Sequence, residues 1–294
     1  MTSLGVLSIH LDGDLAGGPC AVGCPFCYLG ARRSDRLVSG VRLRRLDRAA
    51  LVDELVRAAQ VLDYAELAIA LSEPVHDDTR AALRRLLAAA GDRSRARTIT
   101  ATAALIHREP ALLDGASRLN LSVDPWKLPG PGLVAAVRAT AEVARTRGVE
   151  VVAIATLSTP AFADALVTDG LLAALVDLPA LGAVALNALK PPPPFCDRAF
   201  WLRTLARLRP LLDRALDRRL FLDCYVAARL LGLGGCPGRP DLSPDGRGGL
   251  AFRSCVYAPI PDAEVTRAGE LDAQVARFSP PAACPFETRL ADRR

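Results

Sequence analysis

Apolar residues along the first three quarters of the chain follow two alternating spacings. Short runs of β-branched and small apolar residues predict six strands. They lie at Gly5 to Leu11, Ala65 to Leu71, Thr98 to Ala103, Leu119 to Val123, Val149 to Leu157 and Ala183 to Leu189. Apolar residues at every third or fourth position predict helices between and after them. These lie at Asp47 to Leu62, Asp77 to Ala90, Pro110 to Ser117, Pro131 to Arg147, Pro160 to Leu175 and Arg198 to Asp217, before a last strand at Leu220 to Tyr225.

Strands that alternate with helices predict an α/β fold with a parallel sheet and outer helices. Several strands are apolar almost throughout, as in "ELAIAL" and "VEVVAIATL". This composition favours strands that are buried on both faces of the sheet.

The composition changes after the last strand. From Leu231 to Pro261 the chain is dense in Gly, Pro and Asp, contains the hairpin-type turn "PDG" and leaves no room for a long helix. A module this small usually needs a metal or disulfides for stability. We therefore expect a large core over residues 1–222 and a small loop-rich module over residues 223–294.

Bulk composition narrows the class of protein. With 294 residues, 51% hydrophobic and 23% charged, the chain is expected to be globular, with one large core. It contains no segment resembling a signal peptide or membrane span, so we expect a cytoplasmic protein without a membrane partner. The net charge is +5, but the arginines are spread along the helices. This spread does not point to a nucleic-acid partner.

Three of the eight cysteines, Cys20, Cys24 and Cys27, follow the first strand within eight residues. Three thiolates so placed can bind three irons of a four-iron, four-sulfur (4Fe-4S) cluster and leave the fourth iron open. An open coordination position is typical of catalytic metal centres. Zinc is the alternative, but it needs a fourth ligand, and His10 is the only near candidate.

The stretch "CAVGCPFCY" resembles the C-x3-C-x-aromatic-C signature of the radical S-adenosylmethionine (radical SAM) superfamily, with Phe26 as the aromatic residue. The resemblance implies a partial (β/α)6 TIM-like barrel in which the cluster binds S-adenosyl-L-methionine (SAM). It also implies reductive cleavage of SAM to a 5'-deoxyadenosyl radical, which abstracts hydrogen from a substrate C-H bond. The electron would come from a reductant such as flavodoxin or ferredoxin.

Other stretches resemble the SAM-binding segments of that superfamily. "LSEP" keeps Glu73 and Pro74 of a Gly-Gly-Glu-Pro motif, which implies that Glu73 holds the SAM amino group. "LNLSVDP" resembles a strand ending in Ser-x-Asp, which implies that Ser122 and Asp124 contact the carboxylate or ribose of SAM. The usual adenine motif of the fifth strand is absent, so backbone and apolar contacts, such as Leu157, are expected there. "LNALKPPP" makes Asn187 and Lys190 candidates for the pocket floor.

The late cysteines supply the four thiols that a closed metal site requires. They are Cys224, Cys236, Cys255 and Cys284. Their surroundings resemble the SPASM or twitch extensions that hold an auxiliary 4Fe-4S cluster. Gly246 lies nine residues before Cys255, which is farther than is usual in those modules, so a zinc site and free cysteines stay open as alternatives.

Cys196 and Tyr225 are candidates for catalytic hydrogen donors, with burial in the core as the alternative for each. The favoured function is a radical SAM enzyme that modifies a peptide in a biosynthetic pathway. The alternatives are a radical SAM enzyme acting on a nucleotide, sugar or amino acid, one acting on RNA, and a non-catalytic iron-sulfur electron carrier. Glu73, Ser122 and Asp124 argue against the electron carrier, which has no need of them.

Overall fold

The computed structural model describes residues 4–11, 48–91, 94–124, 132–188, 198–215, 219–222, 241–244, 250–253 and 263–265. The chain divides into two compact units. Unit 1 comprises Met1–Thr100, Asp114–Ser117 and Gly238–Pro285, and unit 2 comprises Ala101–Leu113, Arg118–Pro237 and Phe286–Arg294. The expected boundary between residues 222 and 223 stays a prediction, because residues 223–240 lie outside the described ranges.

Strands and helices alternate along the described chain. The strands are β1 (Leu4–Leu11), β2 (Tyr64–Leu71), β3 (Ala96–Ala101), β4 (Arg118–Val123), β5 (Glu150–Leu157), β6 (Ala183–Ala188), β7 (Leu220–Leu222), β8 (Asp241–Pro244), β9 (Leu250–Arg253) and β10 (Ala263–Val265). The helices are α1 (Arg48–Val61), α2 (Asp77–Ala90), α3 (Ala103–Arg108), α4 (Leu133–Arg145), α5 (Pro160–Val167), α6 (Leu171–Val176) and α7 (Arg198–Ala215), with a short 3-10 helix at Pro110–Leu113. The order confirms the α/β class, and the barrel stays a prediction.

Within unit 1 the strand order is β10, β9, β8, β1, β2, β3, and the last four of these run parallel. The antiparallel pair of β8 and β9 flanks the "PDG" turn and confirms the expected hairpin. This hairpin extends the sheet, because Ser8 and Ile9 of β1 pair with Asp241 and Leu242 of β8.

Within unit 2 the parallel strands follow in chain order as β4, β5, β6, β7. Right-handed crossovers between strands in this order place their helices on one face of the sheet. The residues of that face, such as Leu121, Ala153 and Leu186, are fully buried. In β5 the alternate residues Val152 and Ile154 are only half-buried. The expectation of burial on both faces is therefore wrong for β4 and β5, which alternate as one-sided strands do.

One strand prediction and one helix prediction are also corrected. Residues 102 and 103 were expected in the third strand, but Thr102 caps α3 because its Oγ1 accepts a 3.1 Å hydrogen bond from the Leu105 amide. The helix expected over Pro160 to Leu175 is two helices, since Gly170 between them adopts a left-handed φ of 72°. Glycine is the residue that tolerates this conformation best.

Candidate functional site

In unit 1 the carboxyl ends of β1 and β2 lie side by side. Leu11 pairs with Leu71, and the Ser72 amide donates a 3.4 Å hydrogen bond to the Leu11 carbonyl. Glu73 follows two residues beyond β2 and is half-buried, whereas Pro74 is exposed after a cis peptide bond. In the sequence, Cys20, Cys24 and Cys27 follow β1 and lie outside the described ranges.

In unit 2 polar residues line the sheet face opposite the buried one. We call Asn120, Ser122, Thr156 and Asn187 the polar face, since each is half-buried and they alternate with buried apolar residues. Thr156 of β5 pairs in register with Asn187 of β6, and Ser122 of β4 pairs with Ile154 of β5. The polar residues of β5 and β6 thus gather at the carboxyl ends of their strands.

Asp124 comes directly after β4 and retains 4% of its exposure. The pairing of β4 with β5 ends at Val123, which lies opposite Ala155. If the register continues by one residue, Asp124 comes opposite Thr156, which pairs with Asn187. These three residues form one row across the strand ends. This row combines a carboxylate, a hydroxyl and an amide. Such a set accepts and donates hydrogen bonds to a neutral polar ligand, and the carboxylate suits a pair of vicinal hydroxyls.

Leu157, the last residue of β5, and Ser158, which follows it, differ in their surroundings. Ser158 is fully buried, and its Oγ has no hydrogen-bond partner in the described part of the chain. A buried hydroxyl without a partner is costly, which makes it a candidate for a ligand contact. Leu157 is fully buried and alternates with Thr156, so its side chain belongs to the face opposite the polar face. The Leu157 side chain therefore does not lie on the polar face, and only its backbone groups could make the adenine contact expected from the sequence.

Many predicted site residues lie outside the described ranges. They are Cys20, Cys24, Phe26, Cys27, Lys190, Cys196, Cys224, Tyr225, Cys236, Cys255 and Cys284. Within the described ranges, which include none of the cysteines, no cluster of three or more metal-binding side chains occurs. The iron-sulfur sites and the late-cysteine module therefore stay predictions. The described helices also include none that is long and apolar enough to cross a membrane.

Thr156 and Ser158 were not identified as candidates from the sequence. The stretch "VVAIATLST" contains two hydroxyl residues two positions apart at its end. Two-residue spacing puts strand residues on the same face. This spacing was the available signal, but the apolar residues before it favoured a strand buried on both faces.

Comparison with known proteins identifies no family for this chain. No family model matches it, and no curated protein matches it.

Weak similarities connect the chain to solved enzyme structures. One is a Pseudomonas aeruginosa protein provisionally described as a dihydrodipicolinate synthetase, with 14% identity over 99% of this chain and 82% of that one, at a TM-score of 0.43. The HMG-CoA lyase from Brucella melitensis is 12% identical over 93% of this chain and 92% of that one, also at 0.43. The tryptophan synthase complex from Pyrococcus furiosus is 17% identical over 84% and 89%, at 0.39. At these levels none of the three indicates a family, a fold or an activity.

Proposed function

We propose that this chain is a radical SAM enzyme. The proposal rests on one observation in unit 1: β1 and β2 are neighbouring parallel strands, and a predicted SAM-site motif follows each of them in the sequence. The segment with Cys20, Cys24 and Cys27 follows β1, and Glu73 follows the neighbouring parallel strand β2. In parallel α/β folds, residues at the carboxyl ends of the strands form the functional sites.

The described residues fit the ligands that this function requires. Ser158 offers a buried hydroxyl without a partner in the described ranges, and Asp124 offers a buried carboxylate at the same edge of unit 2. Cys20, Cys24 and Cys27 would hold a 4Fe-4S cluster, Glu73 the amino group of SAM, and Asp124 with Ser122 its ribose or carboxylate. When bound, the cluster and SAM would supply a carbon radical that removes hydrogen from a C-H bond.

The chain's own residues would bind, orient and shield the ligand. Burial of Asp124 keeps its carboxylate away from competing water, which strengthens a hydrogen bond to a ligand hydroxyl. Thr156 and Asn187 pair in register at this edge, and both side chains are partly accessible. They would therefore form hydrogen bonds that orient the polar part of a ligand. Exclusion of water also protects a reactive intermediate from side reactions.

We extend the proposal to the substrate and to the late cysteines. A peptide substrate is favoured, since the contexts of Cys224, Cys236, Cys255 and Cys284 resemble modules of peptide-modifying superfamily members. An auxiliary 4Fe-4S cluster on these four thiols is part of the proposal. Cys196 and Tyr225 are proposed to donate a hydrogen atom to the product radical.

Anaerobic reconstitution tests the proposal. The wild-type protein, with iron, sulfide, dithionite and SAM, should release 5'-deoxyadenosine and methionine, and a Cys24→Ala variant should release neither. Substitution of all three early cysteines by alanine should leave about four irons per chain if the late cysteines hold a cluster. A wild-type protein that binds no iron overturns the proposal, and a triple variant without iron overturns the auxiliary cluster alone.

A further inference from the structure

An open groove lies between α5 and α7 in unit 2. Its volume is about 750 Å³, and its walls include Pro160, Ala163 and Val167 from α5 and Phe200, Arg203 and Arg207 from α7. Pro160 is the first residue of α5, which follows β5 after Ser158 and Thr159. One end of the groove therefore begins at the carboxyl edge of the unit 2 strands, where Asp124 also lies.

The α7 wall of the groove is positively charged. Arg203 and Arg207 are both exposed and four residues apart, so they share one side of the helix. Nη1 of Arg207 lies 4.0 Å from Oδ1 of Asp164, an exposed pair that contributes little by itself. Arg203 has no ion-pair partner in the part of the chain that the structure describes. The sequence of α7 contains five arginines and one aspartate.

Apolar surface accompanies this charge. Val167 of the α5 wall and Phe200 of the α7 wall line the groove and are both half-buried. Exposed arginines around a small apolar area are typical of protein interaction surfaces. A free small anion gains little from exposed arginines in water, whereas an acidic protein can contact both arginines and the apolar lining of the groove together.

We propose that this groove docks a small acidic electron-donor protein. The docking rests on the proposed function, which consumes one electron for each SAM that is cleaved. The donor would lose that electron and the enzyme would gain it, with no bond formed or broken at the interface. Charge complementarity supports an acidic partner, since the whole chain also has a net charge of +5.

The experiment uses the reconstituted full-length protein and a reduced acidic flavodoxin as the probe. Two double variants are compared, Arg203→Glu with Arg207→Glu, and Arg84→Glu with Arg138→Glu. The second pair is the control, because Arg84 of α2 and Arg138 of α4 are also exposed and do not line the groove. Both pairs change the net charge by the same amount.

The first readout is 5'-deoxyadenosine release at low salt. Each variant's flavodoxin-driven rate is divided by its own dithionite-driven rate, which corrects for damage to folding or cluster loading. We expect the groove variant to need at least about tenfold more flavodoxin for half-maximal rate, an effect that shrinks as salt screens the charges. An equal requirement in the groove and control variants overturns the docking.

The second readout is binding of labelled flavodoxin by fluorescence anisotropy, which needs no SAM chemistry. Binding that the groove variant weakens and the control retains supports the docking, even if the wild type releases no 5'-deoxyadenosine. A wild type that releases no 5'-deoxyadenosine overturns the proposed function, whatever the binding result. Absence of flavodoxin binding to the wild type overturns the docking. A single-stranded RNA that binds the wild type in place of flavodoxin, and not the groove variant, also overturns it in favour of a nucleic-acid surface.

Discussion

Thr156 of β5 lies in register with Asn187 of β6, and both side chains are half-buried on the polar face of unit 2. The same row continues to the buried Asp124, which directly follows β4. The helices of unit 2 lie on the opposite face of this sheet, so the polar face takes no part in packing against them. Ligands of α/β folds bind beyond the carboxyl ends of parallel strands, so this row is the place to test for one.

Substitution of Asp124 by asparagine should weaken SAM binding. The side chain keeps its size but loses the charge that would accept hydrogen bonds from ligand hydroxyls. A hydrogen bond to a charged group contributes about 1.5 to 3 kcal/mol, so we expect the dissociation constant to rise about 10-fold to 100-fold. Equilibrium dialysis with the reconstituted protein measures the change. Asp177→Asn, at an exposed position, is the control and should bind like the wild type.

A valine-to-alanine substitution should reduce the free energy of unfolding by different amounts on the two faces of β5. Val151 is 2% exposed on the helix-covered face, whereas its neighbour Val152 is half-buried on the other face. Val151→Ala should lower the free energy of unfolding by about 2 kcal/mol, from lost transfer energy and a cavity, and Val152→Ala by less than about 1 kcal/mol. Urea unfolding curves measure both. Equal losses would contradict the assignment of the faces.

The sequence predicts a helix or strand of this fold well where its hydrophobic spacing and the residues at its ends indicate the same bounds. The bounds of α2 agree with the prediction, because Asp77 and Asp78 favour its first turn and Gly91 ends it. The break at Gly170 was missed because apolar residues keep a helical spacing across it. The short helix α3 was missed because "TITATAAL" reads as a strand, and the capping bond of Thr102 decides the outcome.

The candidate site could be predicted only in part. The cysteine spacing and the residues Glu73, Ser122 and Asp124 come from local motifs, which a single sequence displays. The row of Thr156 and Asn187 depends on strand register, which joins residues 31 positions apart in the chain. The groove of Arg203 and Arg207 depends on helix packing. Neither relationship leaves a local signal.

Substitution of Gly148 by alanine should destabilise the protein through the backbone alone. Gly148 lies between α4 and β5 with a φ of 70°, and an added Cβ would meet nothing within 4 Å. A left-handed conformation costs a non-glycine residue about 1 to 2 kcal/mol, which is the loss we expect. Gly132 also has open space but a φ of −77°, so Gly132→Ala is the matched control. Thermal unfolding compares the two, and equal melting temperatures would refute the conformational explanation.

Two buried serine hydroxyls allow a comparison between a proposed ligand contact and a buried hydroxyl far from the proposed site. Ser158 and Ser94 are both buried, and neither Oγ has a hydrogen-bond partner in the described ranges. Ser158 follows the carboxyl end of β5, whereas Ser94 precedes the amino end of β3. Removing an unpartnered buried hydroxyl should raise the free energy of unfolding of the ligand-free protein by about 1 kcal/mol in both Ser158→Ala and Ser94→Ala.

SAM binding should separate the two variants. If Ser158 contacts the ligand, Ser158→Ala should raise the SAM dissociation constant about fivefold or more, the equivalent of one neutral hydrogen bond of about 1 kcal/mol. Ser94→Ala should leave it unchanged, because Ser94 lies at the amino end of its strand. Urea unfolding without ligand and equilibrium dialysis with SAM together test the pair. A Ser158→Ala variant that is more stable and binds SAM like the wild type would show that this hydroxyl serves neither folding nor the ligand.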